Sequence, residues 1–146
     1  MFKKSMVILI CIFMAACTTT YHGLRPISPA KADLTSDVRP TFKWQASQSK
    51  DAKYDIIIYD LELKCSDKAL IGCGPLIPTF GARVYYRENI DRPEHRIEID
   101  LIPGNKYFWS VRERLGERVG EWSRYDFNYG QYGSGTNWFY ELTIKK

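Results

Sequence analysis

The chain reads as an all-β, antiparallel sandwich. Three observations predict it. Apolar and polar residues alternate in half a dozen short runs. Aromatic residues make up 14% of the chain and gather with Val and Ile in those same runs. Clusters of turn-forming residues separate the runs. Beyond the N-terminal apolar stretch, no segment keeps a 3.6-residue period over two turns.

Taken in order, Pro26, Pro29 and Pro40 mark the entrance to the domain. Proline lacks a ladder donor and belongs at strand starts and edges. Phe42 and Trp44 then alternate with Thr41, Lys43 and Gln45, and Tyr54, Ile56 and Ile58 with Asp55, Ile57 and Tyr59. Val84 to Arg87 is a short aromatic run. Ile97, Ile99 and Leu101 alternate with Arg96, Glu98 and Asp100, which predicts a half-buried strand. Tyr107, Trp109 and Val111 follow the same rhythm, and Trp138, Tyr140, Leu142 and Ile144 close the chain. The turns fall at Ser47–Lys50, Pro103-Gly104-Asn105, Gly116, Gly120 and 129–136. Ser66–Leu70 is the one stretch with room for a helical turn.

The N-terminus is a different kind of segment. Lys3 and Lys4 precede an uncharged apolar run from Met6 to Ala16, the pattern of a secretory signal. A helix needs roughly 20 residues to cross a bilayer, so this run is too short to span one. Met14-Ala15-Ala16-Cys17 resembles the lipobox of bacterial lipoproteins, with Met14 where Leu is commonest. The resemblance implies a signal peptide over 1–16 and lipidation of Cys17 on its sulfur and amine. Thr18, where an Asp would favour inner-membrane retention, implies export to the outer membrane, with the periplasmic or surface side left open. Residues 17–26 then read as a lipidated tether, polar and aperiodic, and 27–146 as the domain.

Removal of Lys3 and Lys4 lowers the formal charge from +4 to +2. That is too weak for a nucleic-acid surface, and no nucleic-acid motif is present. Cys11 leaves with the signal. Cys65 and Cys73 remain as a pair in an oxidising compartment, where a bridge is the expectation. Their spacing fits neither a redox CxxC nor a zinc site.

Pro40-Thr41-Phe42-Lys43-Trp44 resembles the second strand of a fibronectin type III domain, an immunoglobulin-like sandwich in which a tryptophan anchors the core. Tyr54–Tyr59 is similar to its third strand, and Leu101–Arg112 to the corner leading into its sixth. The resemblance implies about seven strands, with Trp44, Tyr107 and Trp109 in the core. Tyr107 would bury its ring and bond backbone at the corner through its hydroxyl. Two stretches exceed the family pattern: 63–82, and a tail over 125–144 that makes either an interrupted last strand or an extra hairpin.

No catalytic constellation is legible. His22 lies in the tether, and His95, between Glu94 and Arg96, reads as a solvated turn residue. Asp55 and Asp60 face opposite sides of one strand by parity. Arg112–Arg118 alternates in sign and reads as a solvated strand end and turn, with an anion or partner contact as the alternative. Phosphate-loop, dinucleotide, zinc-protease and calcium-loop motifs are missing, so neither metal nor cofactor is expected. The candidate contact residues are aromatic: Tyr125, Tyr129, Tyr132 and Trp138 stand among Gly130, Gly133, Gly135, Asn128 and Asn137. The plainer alternative places Phe127, Trp138 and Tyr140 in the core.

The expected function is that of a non-catalytic envelope lipoprotein, held to the membrane by its N-terminal lipid. Its sandwich would mediate protein–protein interaction or envelope assembly. The alternative is carbohydrate or peptidoglycan binding through the Tyr129–Trp138 loop.

Overall fold

A computed structural model describes residues 18–30, 33–65, 72, 76–128, 134–137 and 140–146. Every regular element among them is a strand: β1 (Thr18–His22), β2 (Pro26–Ser28), β3 (Asp33–Thr35), β4 (Thr41–Trp44), β5 (Lys53–Cys65), β6 (Leu76–Ile90), β7 (Glu94–Arg96), β8 (Lys106–Leu115), β9 (Arg118–Val119), β10 (Arg124–Asn128), β11 (Ser134–Asn137) and β12 (Tyr140–Ile144). The possible helical turn at Ser66–Leu70 lies outside the described residues.

Three sheets form. The largest runs β3-β12-β8-β5-β6, with β9 also on β8. The second is β2-β4-β7 and the third β1-β10-β11. All pairings are antiparallel except β3 with β12, which is parallel. The first two sheets meet through the rings that alternation turns inward. Phe42 meets Trp109 edge-on at 4.8 Å, Trp44 meets Tyr54 at 5.5 Å, and Trp109 meets Tyr140 at 5.9 Å. Ile56, Ile58, Val111, Leu142 and Ile144 fill the space between, all fully buried. Trp44, Tyr107 and Trp109 are 2%, 2% and 0% exposed. The Ile102 amide donates to the Tyr107 hydroxyl at 2.8 Å, at the corner entering β8.

The last strand is both interrupted and extended. After β9 the chain stays beside β8 as far as Ser123, whose amide donates to the Val111 carbonyl at 2.8 Å. It then leaves as the β10–β11 hairpin and returns as β12, with Tyr140 opposite Trp109. Leaving a sheet strands ladder groups, and a buried unpaired amide is costly. Two buried serines resolve this. The Val111 amide donates to Ser123 Oγ at 3.1 Å, and Ser110 Oγ donates to the Ser123 carbonyl at 2.9 Å.

Two expectations are corrected. Ile97–Leu101 is not a strand. Its chain crosses between sheets, and only Ile97 and Leu101, each 2% exposed, reach the core, while Ile99 is 38% exposed. The Leu101 amide is satisfied by the Val38 carbonyl at 2.9 Å instead of a ladder. Nor are Thr18–His22 an aperiodic tether: they form β1, paired with β10 from Thr18–Asn128 to His22–Arg124.

Candidate functional site

β5 and β6 outrun the sandwich. β8 pairs with β5 only from Lys53 to Asp60, and beyond that point Leu61–Cys65 pair with β6 alone, forming a two-stranded ribbon. On the face away from the core, the Phe80 ring lies 5.6 Å from Tyr59 and 5.1 Å from Phe108. Leu61 and Leu63 continue this strip at alternate positions along β5, with Phe80 47% and Leu63 56% exposed. Cys65 ends β5 opposite Leu76, and its expected partner Cys73 lies outside the described residues.

The same face carries a buried charge. Asp55, 0% exposed, sits in the middle of the apolar run of β5. β6 is bulged where it pairs with this part of β5, and Asn89 adopts a φ of 60°. The Asn89 amide turns to Asp55 Oδ1 at 3.2 Å. Arg112 Nε donates to Oδ2 at 2.9 Å, and Arg114 donates through Nε at 3.1 Å and Nη2 at 2.8 Å. Burial works to raise the Asp55 pKa, but the bonds from Arg114, Arg112 and Asn89 outweigh it and hold the carboxyl below its ordinary range. Arg112 also lies 4.3 Å over the Trp122 ring, and Arg114 reaches Glu88 at 3.0 Å. The reading of Arg112–Arg118 as solvated therefore fails for Arg112 and Arg114, which register places beside a buried carboxylate. It holds for Glu117 and Arg118, which are exposed.

His95 is also corrected. It lies in β7 with its side chain only 14% exposed, because Tyr85 of β6 covers it with a stacked ring at 5.8 Å. The Tyr85 hydroxyl donates to Glu98, so the 2.7 Å contact with His95 Nε2 has the imidazole as donor. Burial, helped by Arg87, depresses the His95 pKa against the pull of Glu98. Burial and Glu98 raise the Tyr85 pKa, and the bond from Tyr85 lowers that of Glu98. No serine, threonine or cysteine bonds to this relay among the described residues. Nor, among them, do three His, Cys, Asp or Glu side chains gather to hold a metal.

A cavity of about 430 Å³ with mixed polar and apolar walls opens near the β8–β9 turn. Gln45, Ser47, Gln48, Glu113 and Glu121 supply its polar groups, and Leu24 and Leu115 its apolar wall. Ser47 Oγ donates to Glu113 at 2.7 Å across it.

Of the four aromatic contact candidates, Tyr125 has its backbone in β10 opposite Tyr21 and Asn137. Tyr129, Tyr132 and Trp138 lie outside the described residues. Sequence reasoning missed Phe80, Leu61 and Leu63 as a surface strip. The signal for Leu61 and Leu63 was the apolar alternation of β5 continuing past Asp60, whereas Phe80 joins them only through the pairing of β6 with β5. Compared with known proteins, the chain matches no family model, no curated protein and no solved structure.

Proposed function

We propose that this chain is a non-catalytic, lipid-anchored protein of the outer membrane, whose fibronectin type III-like sandwich binds another protein of the cell envelope. The lipobox-like Met14–Cys17 supports the anchor. The family likeness draws support from the β2-β4-β7 sheet facing β3-β12-β8-β5-β6, and from the bond between Ile102 and Tyr107 at the corner. A bridge between Cys65 and Cys73 would close the far end of the β5–β6 ribbon.

One observation carries the reading of the partner. The ribbon presents Leu61, Leu63 and Phe80 beside Tyr59 and Phe108, an apolar strip on the outer face of the sheet. Aromatic and aliphatic side chains gathered on an exposed ribbon suit a protein partner, whose own apolar groups cover them. β6 ends its sheet among the described residues, which also leaves an edge for strand pairing. Membrane attachment raises the local concentration of the domain around such a partner.

The test is a photo-crosslinking amino acid at position 80 in intact cells. A discrete protein adduct, lost when Leu61 and Leu63 become Ser, is expected. Position 80 yielding only background adducts would refute the assignment. Glycan or peptidoglycan binding is the second reading, favoured by the amide, hydroxyl and carboxylate groups of the cavity at Gln45, Ser47, Glu113 and Glu121. Retention on purified peptidoglycan that Gln45→Ala abolishes would support it.

A further inference from the structure

We infer that the cavity beside the β8–β9 turn is a binding site for a primary ammonium group on an unbranched aliphatic stem, the chemistry of a lysine or other diamino acid side chain. The inference needs neither the lipid anchor nor the strip at Phe80. The cavity lies between β8, the loop after β4, and the chain at Gly23 and Glu121, all among the described residues. Its volume of about 430 Å³ is in the range of small-ligand sites.

Glu113 is the anchor of the site. A Cβ at Gly120 would stand 3.0 Å from Glu113 Cγ and 3.3 Å from the Glu113 carbonyl, so glycine there leaves the carboxylate its path. The Gly120 amide donates to the Glu113 carbonyl at 2.9 Å and holds the two chains at that distance. Ser47 Oγ donates its one proton to Glu113 Oε2 at 2.7 Å. Ser47 is itself fixed: its amide donates to the Tyr54 hydroxyl at 3.0 Å, and its Oγ accepts the Ser49 amide at 3.1 Å. Tyr54 is 4% exposed and packs edge-on against Trp44, so the core sets the position of this wall. Among the described residues, Ser47 is the one hydrogen-bond donor to the Glu113 carboxylate, and no Lys, Arg or His pairs with it. A carboxylate accepts up to about four bonds, which leaves room for an ammonium with three donors.

Charge and shape select the ligand. Glu121 is a second lining carboxylate, held by Arg124 at 3.3 Å. The described lining contains no cation. Of the cations nearby in the chain, Lys53 is taken by Asp91, Arg114 by Asp55 on the opposite face of the sheet, and Arg25 lies over the Tyr21 ring. His22, Lys50 and Arg118 also stand outside the lining. Glu113 therefore faces the cavity as an anion without a counter-charge in its walls, and attracts a cation. Leu24 and Leu115 form the apolar wall. Leu115 follows Glu113 by two residues on the same face of β8, about 7 Å along the strand, a distance that suits the four-carbon stem of lysine. Such a stem covers apolar surface while its head stays polar. None of the described lining residues is aromatic, so a sugar face has no ring to stack on there.

The experiment is amide NMR of the isotope-labelled full chain in detergent. It is titrated with Nα-acetyl-lysine methylamide, with the norleucine analogue that keeps the stem and lacks the amine, and with N-acetylglucosamine. The lysine probe should shift the Ser47, Ser49 and Gly120 amides and bind about tenfold more tightly than the norleucine probe, the factor a charge-assisted bond supplies. Glu113→Gln keeps an acceptor for Ser47 and removes the charge, so it should weaken the lysine probe by about tenfold as well. The comparison of lysine with norleucine uses the unaltered chain and decides the matter if that variant does not fold. A soluble peptidoglycan stem peptide with a free diamino acid amine separates the sources. Tighter binding than the lysine probe assigns the natural ligand to the cell wall, and weaker or equal binding assigns it to a protein lysine. Equal affinity for the lysine and norleucine probes, shifts caused by N-acetylglucosamine alone, or a folded Glu113→Gln chain with unchanged affinity would overturn the site.

Discussion

Replacing Asp55 with Asn measures how firmly one buried carboxylate ties β5, β6 and β8 together. Asp55 is 0% exposed and accepts three guanidinium bonds and the Asn89 amide. A hydrogen bond to a charged group contributes about 1.5–3 kcal/mol, against about 0.5–1.5 for a neutral one. Each of the three guanidinium bonds therefore weakens by about 1 kcal/mol in the carboxamide, whose NH₂ also points donors at donors. Two effects work the other way: the site no longer buries an anion, and Arg112 and Arg114, 21% and 20% exposed, regain water. A net loss of about 2–3 kcal/mol is expected at neutral pH, read by urea unfolding followed through tryptophan fluorescence. The pH dependence has a definite sign. Asp55 is held below its ordinary pKa of 3.8 in the fold, so the unfolded chain takes up the proton first as pH falls. Its stabilisation is complete above the unfolded pKa and is lost as pH drops through the folded one. The two proteins should therefore converge in stability below about pH 4. Asp100 and Glu98, also lowered, contribute equally to both curves. A triple replacement, Asp55→Leu with Arg112→Met and Arg114→Met, should cost less than Asp55→Asn because no buried charge is left unpaired; Glu88, which loses Arg114, is 51% exposed. Curves that run parallel down to acid pH, or a loss under about 0.5 kcal/mol, would refute the clamp.

Three further predictions follow from single contacts. Tyr107→Phe removes the acceptor of the part-buried Ile102 amide and should lower stability by about 0.5–1.5 kcal/mol while leaving partner crosslinking at position 80 intact; an unchanged Tm contradicts it. Ser123→Ala strands the Val111 amide, also at about 1–3 kcal/mol, and hydrogen exchange at Val111 should rise selectively; uniform protection across β8 would count against the serine's role. His95 faces Tyr85, Glu98 and Arg87 and is depressed below its ordinary 6.5. The unfolded chain therefore protonates first, and stability should decline as pH falls from about 6.5 through the folded value. His95→Gln, which keeps a donor to Tyr85, should flatten that decline, and an identical slope between pH 7 and 5 would refute it.

What the sequence disclosed, and what it withheld, divides along one physical line. Alternation reports which residues face the core when a strand is straight and flanked, so Phe42, Trp44, Ile56, Trp109 and Leu142 were legible. It does not report whether the chain has a neighbour to pair with. Ile97, Ile99 and Leu101 alternate cleanly, yet the chain there passes between sheets, and only the two end residues, Ile97 and Leu101, with three residues between them, are buried. Cross-strand register was equally hidden. A lone Asp inside Tyr54–Tyr59, with two arginines alternating in another strand, was the available sign of a buried ion pair, but only pairing Asp55 with Arg112 reveals it. The polar face of His95 concealed Tyr85, which arrives from another strand. The tether shows the effect at its strongest. Thr18, Thr19, Thr20 and Tyr21 have good strand propensity, but a strand needs a partner, and among the described residues that partner is β10, far along the chain. β10 is free to serve because the last strand abandons the sheet at Ser123 before resuming at Tyr140. The detour and the ordered N-terminal segment are thus one feature. Without β10, residues 18–22 would lose the ladder they join among the described residues, and would be the loose polar linker that their composition suggests.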